Sequence, residues 1–242
     1  MDLSSLDSVR AAVKVILSKT NKLNVIVNNA GIMAVPTVEK TVDGFESQFG
    51  TNHVAHFLLF MLLKDTLVAS STPEFNSRVV NVSSSAHKGG EVQFGNYNFE
   101  DGSYNPWVGY GQAKTANIYM ANEIEARFGP QGLHGFSLMP GGIMSGLQVH
   151  VSDELKQHWL DDPTASKFLK SPEQGAATQV LAAVGKEFEG KGGIYMEDCA
   201  PAQPSDDASP GNFYGYSPWA YDKEKAARLW DDSLKMVGLA GN

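Results

Sequence analysis

Three short apolar runs separated by helical patterns constrain the fold of this chain more than any other feature. The runs are residues 23–27, 78–82 and 133–139, and the first two are rich in β-branched side chains. Residues 43–68 and 107–128, which lie between the runs, have the apolar spacing of helices. An alternation of strand, helix and strand is typical of parallel sheets, because parallel strands need a crossover connection. The sequence therefore predicts an α/β fold with a parallel sheet.

A polar motif follows each run at the point where the predicted strand ends. Residues 28–31 read Asn-Asn-Ala-Gly, residues 83–85 read Ser-Ser-Ser, and residues 140–142 read Pro-Gly-Gly. The carboxyl ends of parallel strands meet at one edge of a sheet, and open α/β sheets bind their ligands there. We therefore expect a ligand site at this edge.

A tyrosine and a lysine lie four residues apart near the start of the 107–128 helix. Tyr110 and Lys114 share one helix face at this spacing. An ammonium group near a phenol favours the phenolate, so we expect the pKa of Tyr110 to fall below its usual value of about 10. Such a tyrosine exchanges a proton with a carbonyl or alcohol oxygen, and a nearby serine hydroxyl can bind the same oxygen. Taken alone, the motif is weak, because most such pairs lie on a solvated helix face.

Composition excludes several classes of protein. The net charge of -8 argues against a nucleic-acid or anionic-membrane surface. Cys199 is the single cysteine, so we expect no disulfide framework, no cysteine metal site and a reducing, cytoplasmic setting. The longest apolar run, residues 57–63, is too short to cross a bilayer, and the N-terminus shows no secretion signal. Without repeats or linkers, residues 1–242 are predicted to form a single domain.

The segment after the first strand carries a further pattern. Residues 41–46 read Thr-Val-Asp-Gly-Phe-Glu, residues 48–53 read Gln-Phe-Gly-Thr-Asn-His, and residues 56–59 read His-Phe-Leu-Leu. Together with the strand-end motifs and the Tyr110/Lys114 pair, this pattern resembles the short-chain dehydrogenase/reductase family, in the branch that includes the retinol dehydrogenases and the WW-domain oxidoreductases. The resemblance covers nearly all of the chain. It implies a Rossmann-like, doubly wound parallel sheet.

The resemblance implies a role for each matching residue. Tyr110 matches the general acid/base of the family, and Lys114 matches the lysine that lowers the tyrosine pKa and binds the nicotinamide ribose. Ser84 matches the serine that positions the substrate oxygen, with Ser83 a close rival because one sequence does not settle the offset. Asn52 matches an asparagine of a proton relay. The positions implied to bind the cofactor are Asp2 at the adenine, Asn29, Ala30 and Gly31 on the adenosine side, Tyr110 and Lys114 at the ribose, and Pro140, Gly141, Ile143 and Ser145 at the carboxamide.

One feature of the family has no counterpart in these residues. Neither G-x-G-x-x-G nor T-G-x-x-x-G-x-G occurs, and the resemblance places that pyrophosphate-binding turn upstream of Asp2. It implies that N-terminal strands are missing, either because the start is assigned too late or because the chain is a truncated relative. Residues 23–27 are then expected to form an uncovered apolar sheet edge.

The resemblance also implies a function. It predicts an NAD(P)-dependent oxidoreductase that interconverts an alcohol and a carbonyl on a lipophilic small molecule, with NADP as cofactor and NAD not excluded. The alternative is a catalytically impaired paralogue that acts as a non-enzymatic pairing partner through the long helices starting near Asp43 and Trp107. A homodimer is allowed, whereas no nucleic-acid partner, metal or membrane span is expected.

Several side chains keep two interpretations. His53 and His56 are expected to pack in the core, since no carboxylates stand at metal-ligand spacing. His87 either lines the pocket or lies on a loop surface. The aromatic residues between 94 and 107, with Trp159, either form a lipophilic wall or pack the loop on the body. A hydrolase is not favoured, because no G-x-S-x-G pattern occurs.

Overall fold

A central parallel sheet positions the rest of the molecule. The computed structural model describes residues 1–205 and 213–241. Its strands are β1 (Val25–Asn28), β2 (Ser77–Val82), β3 (Leu133–Met139), β4 (Gly142–Ile143), β5 (Leu169–Lys170), β6 (Ile194–Glu197) and β7 (Ala200–Pro201). The central sheet has the order β1-β2-β3-β6-β7; its first four strands are parallel and β7 is antiparallel to β6, while β4 and β5 pair separately. The predicted α/β fold with a parallel sheet is confirmed.

Helices cover both faces of this sheet. They are α1 (Leu6–Lys19), α2 (Ser47–Phe49), α3 (Ala55–Ser70), α4 (Pro106–Phe128), α5 (Asp153–Asp161), α6 (Ala165–Phe168), α7 (Pro172–Val184) and α8 (Lys223–Met236). A π-helical turn, Gly50–Val54, joins α2 to α3. One core lies under α1, α3, α4 and α8, and a second core lies between the sheet and α7.

Strand β2 is buried on both of its faces. All six of its residues are buried. Val79 belongs to the core under α3 and α4, whereas Val80 and Val82 belong to the core under α7, as the alternation of side chains along a strand requires. A strand covered on both faces needs no polar face, which explains why residues 78–82 show little alternation of apolar and polar residues.

One predicted helix begins later than its pattern suggests. The helix expected from Thr41 or Asp43 starts at Ser47, because the Glu46 carboxylate accepts hydrogen bonds from two backbone N–H groups of its first turn. Glutamate is not among the usual N-cap residues, so the sequence pattern did not indicate this start. Residues 199–216 are rich in Pro, Asp, Ser and Gly; this segment contains β7, and its residues 206–212 lie outside the described residues.

The two long helices are largely enclosed by the rest of the chain. Every residue of α4 from 109 to 121 is buried, and α8 packs along α4 with Leu229 and Trp230 in the shared core. The apolar face of α4 is therefore covered within this chain. The described structure gives the pairing hypothesis no support.

The continuous helix Ser47–Ser70 is long and apolar enough to cross a membrane by length and composition. The expectation of no membrane span was based on the short apolar run 57–63, but the apolar character of this helix extends beyond that run. Of its most apolar stretch, 56% is buried inside the protein, as in a core helix.

Strand β1 forms an edge of the sheet within the described residues. It pairs with β2 on one side only, and 41% of the Val27 surface is exposed. Val180 and Val184 of the neighbouring α7 are also exposed. Within the part of the chain that the structure describes, the outer side of β1 is therefore unpaired, as predicted for residues 23–27.

Candidate active site

A cleft of about 1140 Å³ opens at the carboxyl ends of β1, β2 and β3. The structure brings all three strand-end motifs to this cleft, together with Tyr110 and Lys114 from α4. The candidate residues that line it are Asn29, Ala30, Gly31, Ser83, Ser84, Tyr110, Lys114, Pro140, Gly141, Ile143 and Ser145. Asp2 and Asn52 are not among its lining residues.

The two rival serines have different surroundings. The buried Ser83 hydroxyl donates to the backbone carbonyl of Lys114 at 2.7 Å, so its proton is used within the fold. Ser84 is partly exposed, and its hydroxyl oxygen accepts a hydrogen bond from the Ala86 N–H at 3.1 Å. A hydroxyl that accepts one bond still has a proton to donate, and the Ser84 side chain is close enough to Tyr110 to oppose the rise of the tyrosine pKa. This geometry favours Ser84 over Ser83 for binding a substrate oxygen.

Tyr110 lies on the second turn of α4, so its position depends on where this helix begins. The Asn105 side chain caps α4 by accepting from the N–H groups of Trp107 and Val108, which aims the helix at the cleft. Tyr110 is 4% exposed. Burial raises the pKa of Tyr110 to about 12, and the hydrogen bond with Ser84 opposes that rise only in part. The phenol therefore carries its proton at neutral pH.

Lys114 does not lower the pKa of Tyr110 in this structure, so the predicted direction was wrong. The Lys114 ammonium lies over the phenol ring, 5.4 Å from its centroid, and donates to the Val82 carbonyl at 3.0 Å. Burial also lowers the pKa of Lys114, to about 8. Loss of solvation disfavours both charged forms, and it outweighs a lysine that faces the ring.

Asn52 lies in the π-helical turn behind the cleft. Its side chain accepts from the Ile32 N–H and donates to the Ile32 carbonyl, both at 2.9 Å. A Cβ on Gly31 would lie 2.8 Å from the Asn52 side-chain oxygen, so the close approach requires glycine at position 31. The Asn52 carbonyl lies 3.0 Å from Nδ1 of His56. Asn52 thus holds the loop after β1, and its relay role stays a prediction.

The remaining cofactor candidates separate into two groups. The Asp2 carboxylate accepts hydrogen bonds from the backbone and hydroxyl of Ser4, away from the cleft. Ile143 and Ser145 line the cleft and are held by Gln148, whose amide donates to the Ile143 carbonyl and accepts from the Ser145 N–H, both at 2.8 Å. Sequence reasoning missed Gln148, although S-x-x-Q is a capping-box signal.

Asn117 is a second residue that the sequence analysis missed. Its amide donates at 3.1 Å to the Val82 carbonyl, the oxygen that Lys114 also binds. The Asn117 carbonyl accepts from the Asn81 side chain at 3.2 Å. Asn117 is three residues beyond Lys114, so both lie on one helix face. That spacing was the available signal.

Aromatic side chains form one wall of the cleft. The rings of Trp107 and Trp159 pack edge to face with centroids 6.3 Å apart, and Phe168 also lines the cleft. Tyr97 and Phe99 instead pack against the body of the protein. Trp107 and Trp159 thus fit the interpretation as a lipophilic wall, whereas Tyr97 and Phe99 fit the interpretation as residues that pack the loop on the body.

Comparison with known proteins decides the family. Residues 1–99 match the family model described as short chain dehydrogenase. The short-chain dehydrogenase/reductase prx1 of Penicillium roqueforti is 55% identical over 240 residues, which cover 99% of this chain and 70% of the relative. The chain belongs to the short-chain dehydrogenase/reductase family. Retinol dehydrogenase 14 of Homo sapiens is 38% identical to this family member over 239 residues, 99% of the chain and 66% of the relative. The resemblance read from the motifs is confirmed, and the chain is an oxidoreductase by family.

Several solved structures share the fold of this chain. A crystal structure of an uncharacterized protein from Mycobacterium Paratuberculosis has a TM-score of 0.69 at 30% identity and covers 100% of this chain and 75% of that chain. An NADPH-bound carbonyl reductase from chicken fatty liver has a TM-score of 0.57 at 18% identity, covering 82% and 73%. A 3-ketoacyl-(acyl-carrier-protein) reductase from Brucella melitensis in complex with NADH has a TM-score of 0.59 at 20% identity, covering 81% and 73%. The Rossmann-like fold is confirmed by these neighbours.

Proposed function

We propose that this short-chain dehydrogenase/reductase interconverts an alcohol and a carbonyl on a lipophilic small molecule with NAD(P). The observation that carries the proposal is the cleft in which Tyr110, Ser84 and Lys114 lie beside the ring wall of Trp107 and Trp159. Proton donors next to a broad apolar surface suit a substrate with one reactive oxygen on a hydrocarbon body. The names of the relatives, dehydrogenase and reductase, support the reaction class.

Tyr110 is the proposed acid/base, and its state favours one direction. With its pKa raised to about 12, the phenol is protonated at neutral pH and can give its proton to a carbonyl oxygen. Ser84 would donate a hydrogen bond to the same oxygen as negative charge develops on it. Alcohol oxidation needs the phenolate, which burial opposes. The protein in this state therefore holds Tyr110 ready to protonate a carbonyl oxygen.

The residues present fit the nicotinamide half of a dinucleotide. Lys114 and Tyr110 supply donors suited to ribose hydroxyls, and Ile143 and Ser145 line the adjoining cleft for the carboxamide. When bound, the nicotinamide supplies or takes up the hydride. We take NADP as the first cofactor to test, because the carbonyl reductase neighbour is an NADPH complex. The chain contains no Gly-rich pyrophosphate-binding pattern. Nucleotide binding is therefore the part of the proposal to test first.

Nucleotide binding is tested by titrating the purified full chain with NADPH and with NADH while following nucleotide fluorescence. Saturable binding of either supports the proposal. A sample that unfolds cooperatively, and so is folded, but binds neither nucleotide overturns it.

Substitution Tyr110→Phe tests the acid/base role by removing one hydroxyl. We expect the rate of NADPH oxidation with lipophilic aldehydes and ketones to fall by about 10²–10⁴-fold, the usual contribution of general acid catalysis. The matched control is Tyr119→Phe on the same helix, since the buried Tyr119 hydroxyl has no hydrogen-bond partner among the described residues. The control should keep its activity. Equal rates for Tyr110→Phe and Tyr119→Phe would exclude Tyr110 as the proton donor.

A further inference from the structure

His87 connects Ser84 to a distant part of the chain. It is fully buried and lies in the 3-10 turn Ser85–Gly89, which begins directly after Ser84. Its Nδ1 is 2.6 Å from the Ser84 carbonyl oxygen, and its Nε2 is 3.1 Å from the backbone nitrogen of Ser217. The ring thus joins the candidate substrate-binding serine to the segment that leads into α8.

The two partners determine where the imidazole proton lies. The Ser217 N–H is a donor, so Nε2 accepts and carries no proton. The Ser84 carbonyl is an acceptor, so Nδ1 carries the proton and donates it. A doubly protonated ring would lose the bond to Ser217. The contacts therefore specify a neutral ring with its proton on Nδ1.

The turn that carries His87 is also held from two other elements. The Tyr195 ring of β6 packs against the imidazole with centroids 5.1 Å apart, and its hydroxyl lies 3.5 Å from Nδ1. The Thr115 hydroxyl of α4 lies within hydrogen-bonding distance of the carbonyls of His87 and Gly90, at 3.2 and 2.6 Å. An imidazole enclosed in this way has little freedom to turn, so the position of its Nδ1–H is well defined.

We propose that His87 is a positioning residue for Ser84. The Ser84 carbonyl accepts both the ring Nδ1–H and the backbone N–H of His87. The ring bond fixes the Ser84 backbone and so holds the Ser84 hydroxyl beside Tyr110, while the Ser217 bond holds the ring. His87 is not among the described residues that line the cleft, so it acts through Ser84 and not on substrate. The inference rests on the proposed function, because Ser84 is the group to be positioned.

Two substitutions separate positioning from a simple contribution to stability. In His87→Asn, the side-chain amide nitrogen can replace Nδ1 and donate to Ser84, but the side chain is too short to reach Ser217. In His87→Gln, the amide oxygen can replace Nε2 and accept from Ser217, and the donor to Ser84 is lost. Each variant thus keeps one of the two hydrogen bonds.

The experiment measures kcat, KM, nucleotide affinity and melting temperature of the full chain and both variants. We expect His87→Gln to lower kcat about tenfold to hundredfold with KM and nucleotide affinity nearly unchanged, and His87→Asn to keep kcat within about threefold. The proposal is overturned if both variants keep kcat, if His87→Asn loses as much as His87→Gln, or if the losses simply follow the melting temperatures.

An NMR measurement on the imidazole nitrogens keeps this inference distinguishable from the proposed function. A slowly exchanging proton on Nδ1 in the wild-type chain supports the positioning role. A proton on Nε2 overturns that role even in an active enzyme, whereas a folded wild-type chain without nucleotide binding overturns the proposed function whichever nitrogen is protonated.

Discussion

Two basic side chains are buried at opposite ends of β2, and their surroundings differ. Arg78, at the start of the strand, donates to two carbonyl groups at the end of α7 at 3.1 and 2.9 Å and pairs with Glu189 at 2.9 Å. Lys114 reaches the other end of the strand, where its ammonium donates to the Val82 carbonyl. No described carboxylate pairs with Lys114. Arg78 therefore has two carbonyl acceptors and a carboxylate partner, whereas Lys114 has one carbonyl acceptor and no described carboxylate partner.

The different surroundings of Arg78 and Lys114 indicate different roles, one in the stability of the fold and one in the chemistry of the cleft. A cation at the C-terminal end of a helix interacts favourably with the helix dipole and its free carbonyl groups, as Arg78 does at α7. Lys114 is buried without a carboxylate partner to offset its loss of solvation. Burial therefore destabilises its charged form and lowers its pKa to about 8. The contacts of Arg78 at the amino end of β2 therefore stabilise the fold. The buried Lys114 ammonium beside Tyr110, at the carboxyl end, is destabilising, as is common for charged groups in functional sites.

The largest effect is expected for Arg78→Met. Removing the guanidinium leaves two carbonyl groups and the partly exposed Glu189 without their partner, so the free energy of unfolding should fall by about 3–5 kcal/mol. Urea denaturation measures the change, with Glu189→Gln as the milder control. If Arg78→Met is as stable as wild type, the comparison between the two cations fails.

The opposite sign is expected for Lys114→Met. Replacing an uncompensated buried ammonium by an apolar side chain of similar length should raise the free energy of unfolding at pH 7 by about 1–3 kcal/mol, while oxidoreductase activity is lost. Lys64→Met, which changes a partly exposed lysine of α3, serves as the control for a general effect of the substitution. A destabilised Lys114→Met variant would show that the lysine contributes to the fold as Arg78 does.

A smaller effect is expected in the pH dependence of stability. The folded-state pKa of Lys114, about 8, lies below the usual lysine value of 10.5. Between these values the unfolded chain holds more protons, so the contribution of Lys114 to the free energy of unfolding rises with pH, by roughly 1–2 kcal/mol between pH 8 and 9.5. The difference between wild type and Lys114→Met should therefore shrink over this range in urea titrations. A constant difference would mean that Lys114 is not titrating there.

The smallest stability effect distinguishes the two serines. Ser83→Ala removes a buried hydrogen bond to the Lys114 carbonyl and should cost about 1 kcal/mol of stability while leaving most of the activity. Ser84→Ala should leave stability nearly unchanged and lower kcat by about 10²-fold or more. Melting temperatures and steady-state rates of both variants provide the test. The reverse pattern would assign the substrate-binding role to Ser83.

Local spacing was enough to predict most of the architecture. The runs ending at residues 27, 82 and 139 are strands of one parallel sheet, and the helical pattern of residues 107–128 forms α4, Pro106–Phe128. The polar residues after the strands could be placed at one cleft because parallel strands all end at the same edge. Tyr110 and Lys114 could be placed on one face of α4 because helix geometry requires it.

Other features depended on contacts between residues far apart in the chain. The sequence by itself determined the sheet, the strand-end motifs and the Tyr110/Lys114 pair, since each follows from spacing within one element. Only the tertiary structure decided that burial raises the pKa of Tyr110, that Ser84 and not Ser83 has a proton to offer, and that His87 bonds a residue 130 positions away. The physical reason is that burial and long-range hydrogen bonds set a group's charge and free donors, and neither is a property of its neighbours in sequence.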